Sequence, residues 1–191
     1  MKIKITSVAF VACLACAMTS AQTPSAPSTP KTIGPLVTIA SLDVPRYMGT
    51  WYEIAKYPNY FQKKCVANTR ANYQLQPSGT VQVTNQCRTS SGEIDEAVGA
   101  ARQIGPTTSP KLQVRFAPAW LSFVPFVWGD YWVIDLDDGY QLAAVSEPKR
   151  DFLWILSRSP QVSSTAYDAL VARLQNMGFD PNRLARTTQN P

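Results

Sequence analysis

One pattern constrains this chain more than any other. Past residue 48, short segments rich in β-branched and aromatic residues recur about every ten positions, each followed by turn residues. Segments 49–57, 66–75, 81–86, 93–104, 111–117, 131–136, 140–146 and 151–158 read as eight strands. Turns are marked by Gln76-Pro77-Ser78-Gly79, Asp137-Asp138-Gly139 and Ser159-Pro160. Leu112-Gln113-Val114-Arg115-Phe116 alternates apolar and polar side chains, the mark of a half-buried strand. Short links favour a meander, and open strand edges invite aggregation, so the sheet is expected to close on itself. The expected fold is all-β: an eight-stranded up-and-down antiparallel β-barrel, wide enough for side chains or one small ligand.

A single helix follows the strands. Tyr167, Leu170, Val171, Leu174 and Met177 form one apolar stripe, Thr165 with Asp168 reads as a capping pair, and Gly178 ends the helix. The stripe predicts packing against the outside of the barrel.

The start of the chain reads as an address. Met1-Lys2-Ile3-Lys4 is basic, residues 5–18 are uncharged and mostly apolar, and Thr19-Ser20-Ala21 offers a small-residue cleavage site. The apolar run is too short to span a membrane. A second reading takes Leu14-Ala15-Cys16 as a bacterial lipoprotein box, with Cys16 lipidated. Cys13 stands where that box prefers an aliphatic residue, so simple cleavage is favoured. The domains expected are a signal peptide at 1–21, a Pro/Ser/Thr-rich tether at 22–35 and the barrel at 36–191.

Composition removes several functions. The chain has no His, which excludes Ser-His-Asp and Cys-His catalysis, zinc-protease motifs and His-ligated haem. No catalytic residue, metal or cofactor is expected. Net charge is +5, or +3 without Lys2 and Lys4, and the basic residues are scattered, so nucleic acid is not an expected partner. Cys65 and Cys87 remain after export. They lie near the open ends of the hairpin 66–86, and an oxidising compartment should pair them. That bridge would stabilise the fold by about 3 kcal/mol.

The strand-one segment Gly49-Thr50-Trp51-Tyr52-Glu53-Ile54-Ala55 and the last-strand segment Trp154-Ile155-Leu156-Ser157-Arg158 resemble the first and third signatures of the lipocalin family. Residues 150–160 are very similar to those of bacterial outer-membrane lipocalins and apolipoprotein D. The resemblance spans roughly residues 42–189. Lipocalins often carry Thr-Asp-Tyr between strands six and seven, where this chain has Leu136-Asp137-Asp138.

The resemblance implies that Trp51 fills the closed end of the barrel with Arg158 laid across its ring, on strands that meet only if the sheet closes. Gly49, Trp51 and Arg158 are then structural, with Gly49 allowing a positive φ or a close backbone approach. It also matches Tyr73 and Trp154 to pocket-lining positions. With Arg158 inside, period two adds Leu156 and Phe152, and Tyr73 brings Ala71 and Leu75 to one face of strand two. These six are the expected ligand-binding residues. Glu53 shares the parity of Trp51 but could leave the interior through a bulge.

Residues 117–128 are apolar, carry two prolines and join strands five and six. Alternating links place them at the mouth, as a lid, as a lip touching a membrane or partner, or folded onto the core. The function expected is binding and carriage of a fatty acid or lysophospholipid in the bacterial envelope, in the periplasm or at the outer membrane, by a monomer or homodimer. Alternatives are an interaction protein using residues 117–128 and a lipid-modifying enzyme on the same barrel.

Overall fold

The computed structural model describes residues 33–118, 124 and 127–190. The expected signal, most of the tether, Cys16 and the central residues of the 117–128 link, including Trp120 and Phe123, lie outside the described residues.

Eight antiparallel strands form the barrel: β1 (Gly49–Lys56), β2 (Cys65–Leu75), β3 (Val81–Thr89), β4 (Ile94–Gln103), β5 (Lys111–Arg115), β6 (Gly129–Leu136), β7 (Leu142–Ser146) and β8 (Leu153–Ser157). Each pairs with the next in sequence, and β1 pairs with both β8 and β2, so the sheet closes. A short helix α1 (Val44–Tyr47) precedes β1, and the outer helix α2 spans Ser164–Asn176. A two-residue strand β9 (Ala185–Arg186) adds to β1.

Two apolar clusters hold this arrangement. Inside the barrel, Leu42, Val44, Tyr47 and Trp51 plug one end beneath Ala71, Tyr73, Val83, Leu112, Val133, Val145 and Leu156. Outside it, Ile54, Ile134, Leu153 and Ile155 meet Leu170, Leu174 and Phe179. Strands β7 and β8 are covered on both faces, which is why Leu142-Ala143-Ala144-Val145 and Leu153-Trp154-Ile155-Leu156 do not alternate in polarity.

Helix α2 starts two residues earlier than the sequence suggests. Its cap is Ser163, whose side chain accepts from the Ala166 amide, so Thr165 already lies inside the helix and does not cap it. Ser163 and Thr165 offer the same chemistry, but Ser163 has the extended backbone of a cap (φ −61°, ψ 146°). At the other end Gly178 has φ +94°, and the Arg150 Nε donates to the Met177 carbonyl. Arg173 makes two hydrogen bonds to the buried Asp135 carboxylate, at 2.7 and 2.9 Å, which ties α2 to β6. The end of the expected tether is docked as well, where the Arg150 guanidinium donates to the Gly34 carbonyl, and Leu36, just past it, is buried in the outer cluster.

Closure is fixed at the plugged end. The Arg158 guanidinium lies 4.1 Å from the centroid of the Trp51 ring. It donates to the carbonyls of Thr50 at 2.9 Å and Arg46 at 3.0 Å, while the Trp51 indole donates to the Tyr47 carbonyl at 2.8 Å. One side chain thus joins the last strand, the first strand and α1. Gly49 has φ +92°, and a Cβ there would stand 3.3 Å from Arg158 Nη1. The positive φ favours glycine, and a side chain there would crowd the clasp.

At the other end β1 and β2 part, since their pairing stops at Tyr52↔Arg70. The chain terminus fills this gap. The Thr187 amide donates to Ile54, the Asn68 amide donates to Thr188, and the Gln189 side chain donates to the carbonyls of Glu53 and Thr69.

Arg158→Lys keeps the charge but loses the planar stack and at least one carbonyl bond. It should lower the unfolding free energy by about 2 kcal/mol, seen as a reduced urea midpoint at unchanged slope. An unchanged midpoint would show that closure does not depend on this clasp.

Candidate ligand-binding site

The barrel encloses a cavity of about 660 Å³, within the range of small-molecule sites. It opens at the end that carries the first, third, fifth and seventh links. Tyr60 and Phe61 of the first link, Phe116 and Trp128 flanking the fifth, and Glu147 of the seventh all line it. The 117–128 link therefore leaves and re-enters the barrel at the mouth.

The first link is held by a local cap. Asn59 accepts from the Gln62 amide, and this sets a 3-10 turn over Tyr60–Gln62. The turn leans two rings over the mouth. Phe61 packs on Phe152 at 5.5 Å between centroids, and Phe152 stacks on Trp154 at 5.9 Å and 15°. The Trp154 indole donates to Gln62 Oε1 at 3.0 Å. An aromatic wall thus descends from solvent into the barrel.

Glu53 belongs to the same wall. It is buried and lines the cavity, and its carboxylate accepts from Gln62 at 2.6 Å and Thr187 at 2.5 Å and pairs with Lys56 at 3.0 Å. The bulge in β1 falls just after it, between Glu53 and Ala55, and turns Ile54 and Ala55 both outward under α2. So Glu53 keeps the inward parity of Trp51, but its oxygens are committed to protein partners.

Deeper, three tyrosines meet. Tyr131 lies 3.0 Å from the Tyr47 hydroxyl and 3.1 Å from that of Tyr73. Tyr47 rises from α1 with its ring against Trp51, 4.8 Å between centroids, so the plug and this floor are continuous. Around them the wall is apolar: Ala71, Val81, Val83, Ala101, Leu112, Val114 and Leu156. Burial pushes all three phenols up. Tyr73 is raised to about 12 by burial; Tyr47 is raised higher still by burial and then by Tyr73, and Tyr131 is raised well above its ordinary value by burial and then by both phenolic neighbours.

Of the residues expected from sequence to bind ligand, Ala71, Tyr73, Phe152, Trp154 and Leu156 line the cavity. Leu75 does not. It lies past the end of the β1–β2 pairing, 46% exposed, beyond the plug. Strand β2 outruns its neighbour there, so correct parity no longer means burial. Tyr131 was legible, since it shares parity with the inward Val133. Tyr47 and Gln62 carry no such signal, because both sit in single turns outside the strands.

Cys65 and Cys87 form a disulfide at a Cα separation of 5.5 Å and line the mouth. Among the described residues no group of His, Cys, Asp and Glu could hold a metal ion.

The lipocalin-like domain family matches residues 42–189. Temperature-induced lipocalin-1 of Arabidopsis thaliana is 42% identical over 154 residues, covering 80% of this chain and 82% of that protein. Outer membrane lipoprotein Blc of Escherichia coli strain K12 is 35% identical over 149 residues, covering 78% and 80%. The cockroach allergen Per a 4 superposes with a TM-score of 0.62 at 19% identity, covering 83% of this chain and 94% of that one, a likeness of fold.

The raised phenols have a consequence for stability. Between pH 10 and about 12 the folded chain keeps protons that the unfolded chain has released. Their contribution to stability is whole below pH 10 and is lost as pH rises through that window. Absorbance at 295 nm should show at least three of the eight tyrosines silent until the barrel unfolds. Ionisation of all eight near pH 10 in the folded state would contradict a buried floor.

Proposed function

Because the chain belongs to the lipocalin family, we propose that it is an exported, non-enzymatic carrier that holds one small lipid-like molecule, of the fatty-acid or lysophospholipid class, inside the barrel. The observation that carries this reading is the cavity itself: apolar along most of its wall, plugged by Trp51 and Tyr47 at one end and open at the other. Each buried methylene is worth about 0.8 kcal/mol, so a chain of about twelve carbons gains roughly 10 kcal/mol before association costs of several kcal/mol. Micromolar binding then needs no charged anchor, which suits a cavity whose buried carboxylate, Glu53, is already paired.

Catalysis has little to work with. The chain has no His, and the disulfide leaves neither Cys65 nor Cys87 as a thiol. The basic, apolar start of the chain and the similarity to an outer-membrane lipoprotein support a place in the bacterial envelope, either free after cleavage at Ala21 or anchored through Cys16.

The rim supports exchange with a membrane. Tyr60, Phe61 and Phe116 line the mouth and are 65%, 56% and 44% exposed. Exposed apolar groups gathered at one opening mark a contact surface. A carrier that loads from a bilayer would set this rim against it.

Titration with hexadecanoic acid should quench Trp fluorescence saturably at one molecule per chain. Trp154→Ala should weaken binding about tenfold while the urea midpoint moves little. Linear, unsaturable quenching, or equal affinity in the variant, would remove the reading.

A further inference from the structure

The floor of the cavity is polar, although nothing in a plain alkyl chain could use a polar floor. Three phenolic hydroxyls supply three protons, and the two bonds through Tyr131 consume two of them. One proton and several lone pairs stay uncommitted among the described residues, at the bottom of a cavity whose walls are aliphatic. A buried end of this kind favours a guest that brings its own oxygen, since an unmet buried donor is costly.

We propose that the carried molecule is an aliphatic amphiphile bearing a hydroxyl or carbonyl oxygen at its buried end, hydrogen-bonded to the Tyr47–Tyr131–Tyr73 floor. This rests on the carrier reading and specifies its ligand. The guest's inner group is uncharged. The one cation among the described cavity-lining residues is Arg70, which is exposed and bonded to Gln86. Arg158 is walled off behind the Trp51 ring and spends its donors on main-chain carbonyls. A carboxylate on the floor would therefore lose its water without gaining a counter-ion. The phenols are suited to the task because burial keeps them protonated, so each remains able to donate and accept. Ring packing fixes their positions: Tyr47 and Tyr73 are stacked at 12° and 5.9 Å, and Tyr131 meets Tyr73 edge-on at 84°.

The test compares hexadecanoic acid with 16-hydroxyhexadecanoic acid, which share a head and a length and differ in one terminal oxygen, by quenching titration of the mature protein. An aliphatic floor would bind the hydroxy acid at least tenfold more weakly, because its hydroxyl would be stripped of water. The floor described here should bind it about tenfold more tightly. Tyr131→Phe removes the shared hydroxyl and should reverse that order. Should this variant not fold, Tyr73→Phe asks the same question with one bond removed. Equal or weaker binding of the hydroxy acid by the wild-type protein would overturn the inference and leave the carrier reading standing, as would a preference unchanged in both variants. Binding of neither chain would remove the carrier reading, and this inference with it.

Discussion

Closure of the sheet through Arg158 and Trp51 is the constraint on which the rest depends. Eight short strands have two edges, and both are hazards unless they meet. They meet here because one guanidinium at the end of β8 stacks on the indole of β1 and holds the carbonyls of Thr50 and Arg46. The same contact decides which end is shut. Trp51, Tyr47, Leu42 and Val44 pack beneath it, so the cavity can open only at the opposite end.

That opposite end is built differently. There β1 and β2 separate, and the terminal segment from Ala185 onward bridges them with main-chain and side-chain bonds. Gln189 reaches two carbonyls that would otherwise face the gap, one on each strand. The barrel is thus sealed by a rigid clasp at the floor and by a strip of chain near the mouth. Unpairing the first two strands also gives the first link room to fold inward, which brings Gln62 to both Glu53 and Trp154. The Glu53–Gln62 bond and the aromatic wall share this one origin.

Strand number, order and closure were legible in the sequence, because period-two alternation and turn residues report directly on which face is buried. The clasp was legible only through resemblance, since a Trp and an Arg about a hundred positions apart have no local signature. Where the reading failed, geometry had overridden pattern. Leu75 has the parity of Tyr73 but stands past the last paired residue of its neighbour. The helix cap fell on Ser163 and not Thr165, two residues of equal chemistry, of which Ser163 has the extended backbone of a cap. The phenolic floor was half visible. Tyr73 lay on a readable strand, whereas Tyr47 belongs to one turn of helix fixed by Asp43 and Pro45 and takes its place only once the plug has formed.

The central claim is that a closed barrel holds an accessible, guest-sized hollow above the Trp51 plug. Anomalous diffraction from crystals grown with a brominated hexadecanoic acid tests it most directly, because bromine marks the guest without reference to protein density. The account predicts one bromine signal within the barrel, bounded by Trp154 on one side and Tyr73 on the other. Side chains packed to the rim, with bromine found only on the outer surface, would contradict it.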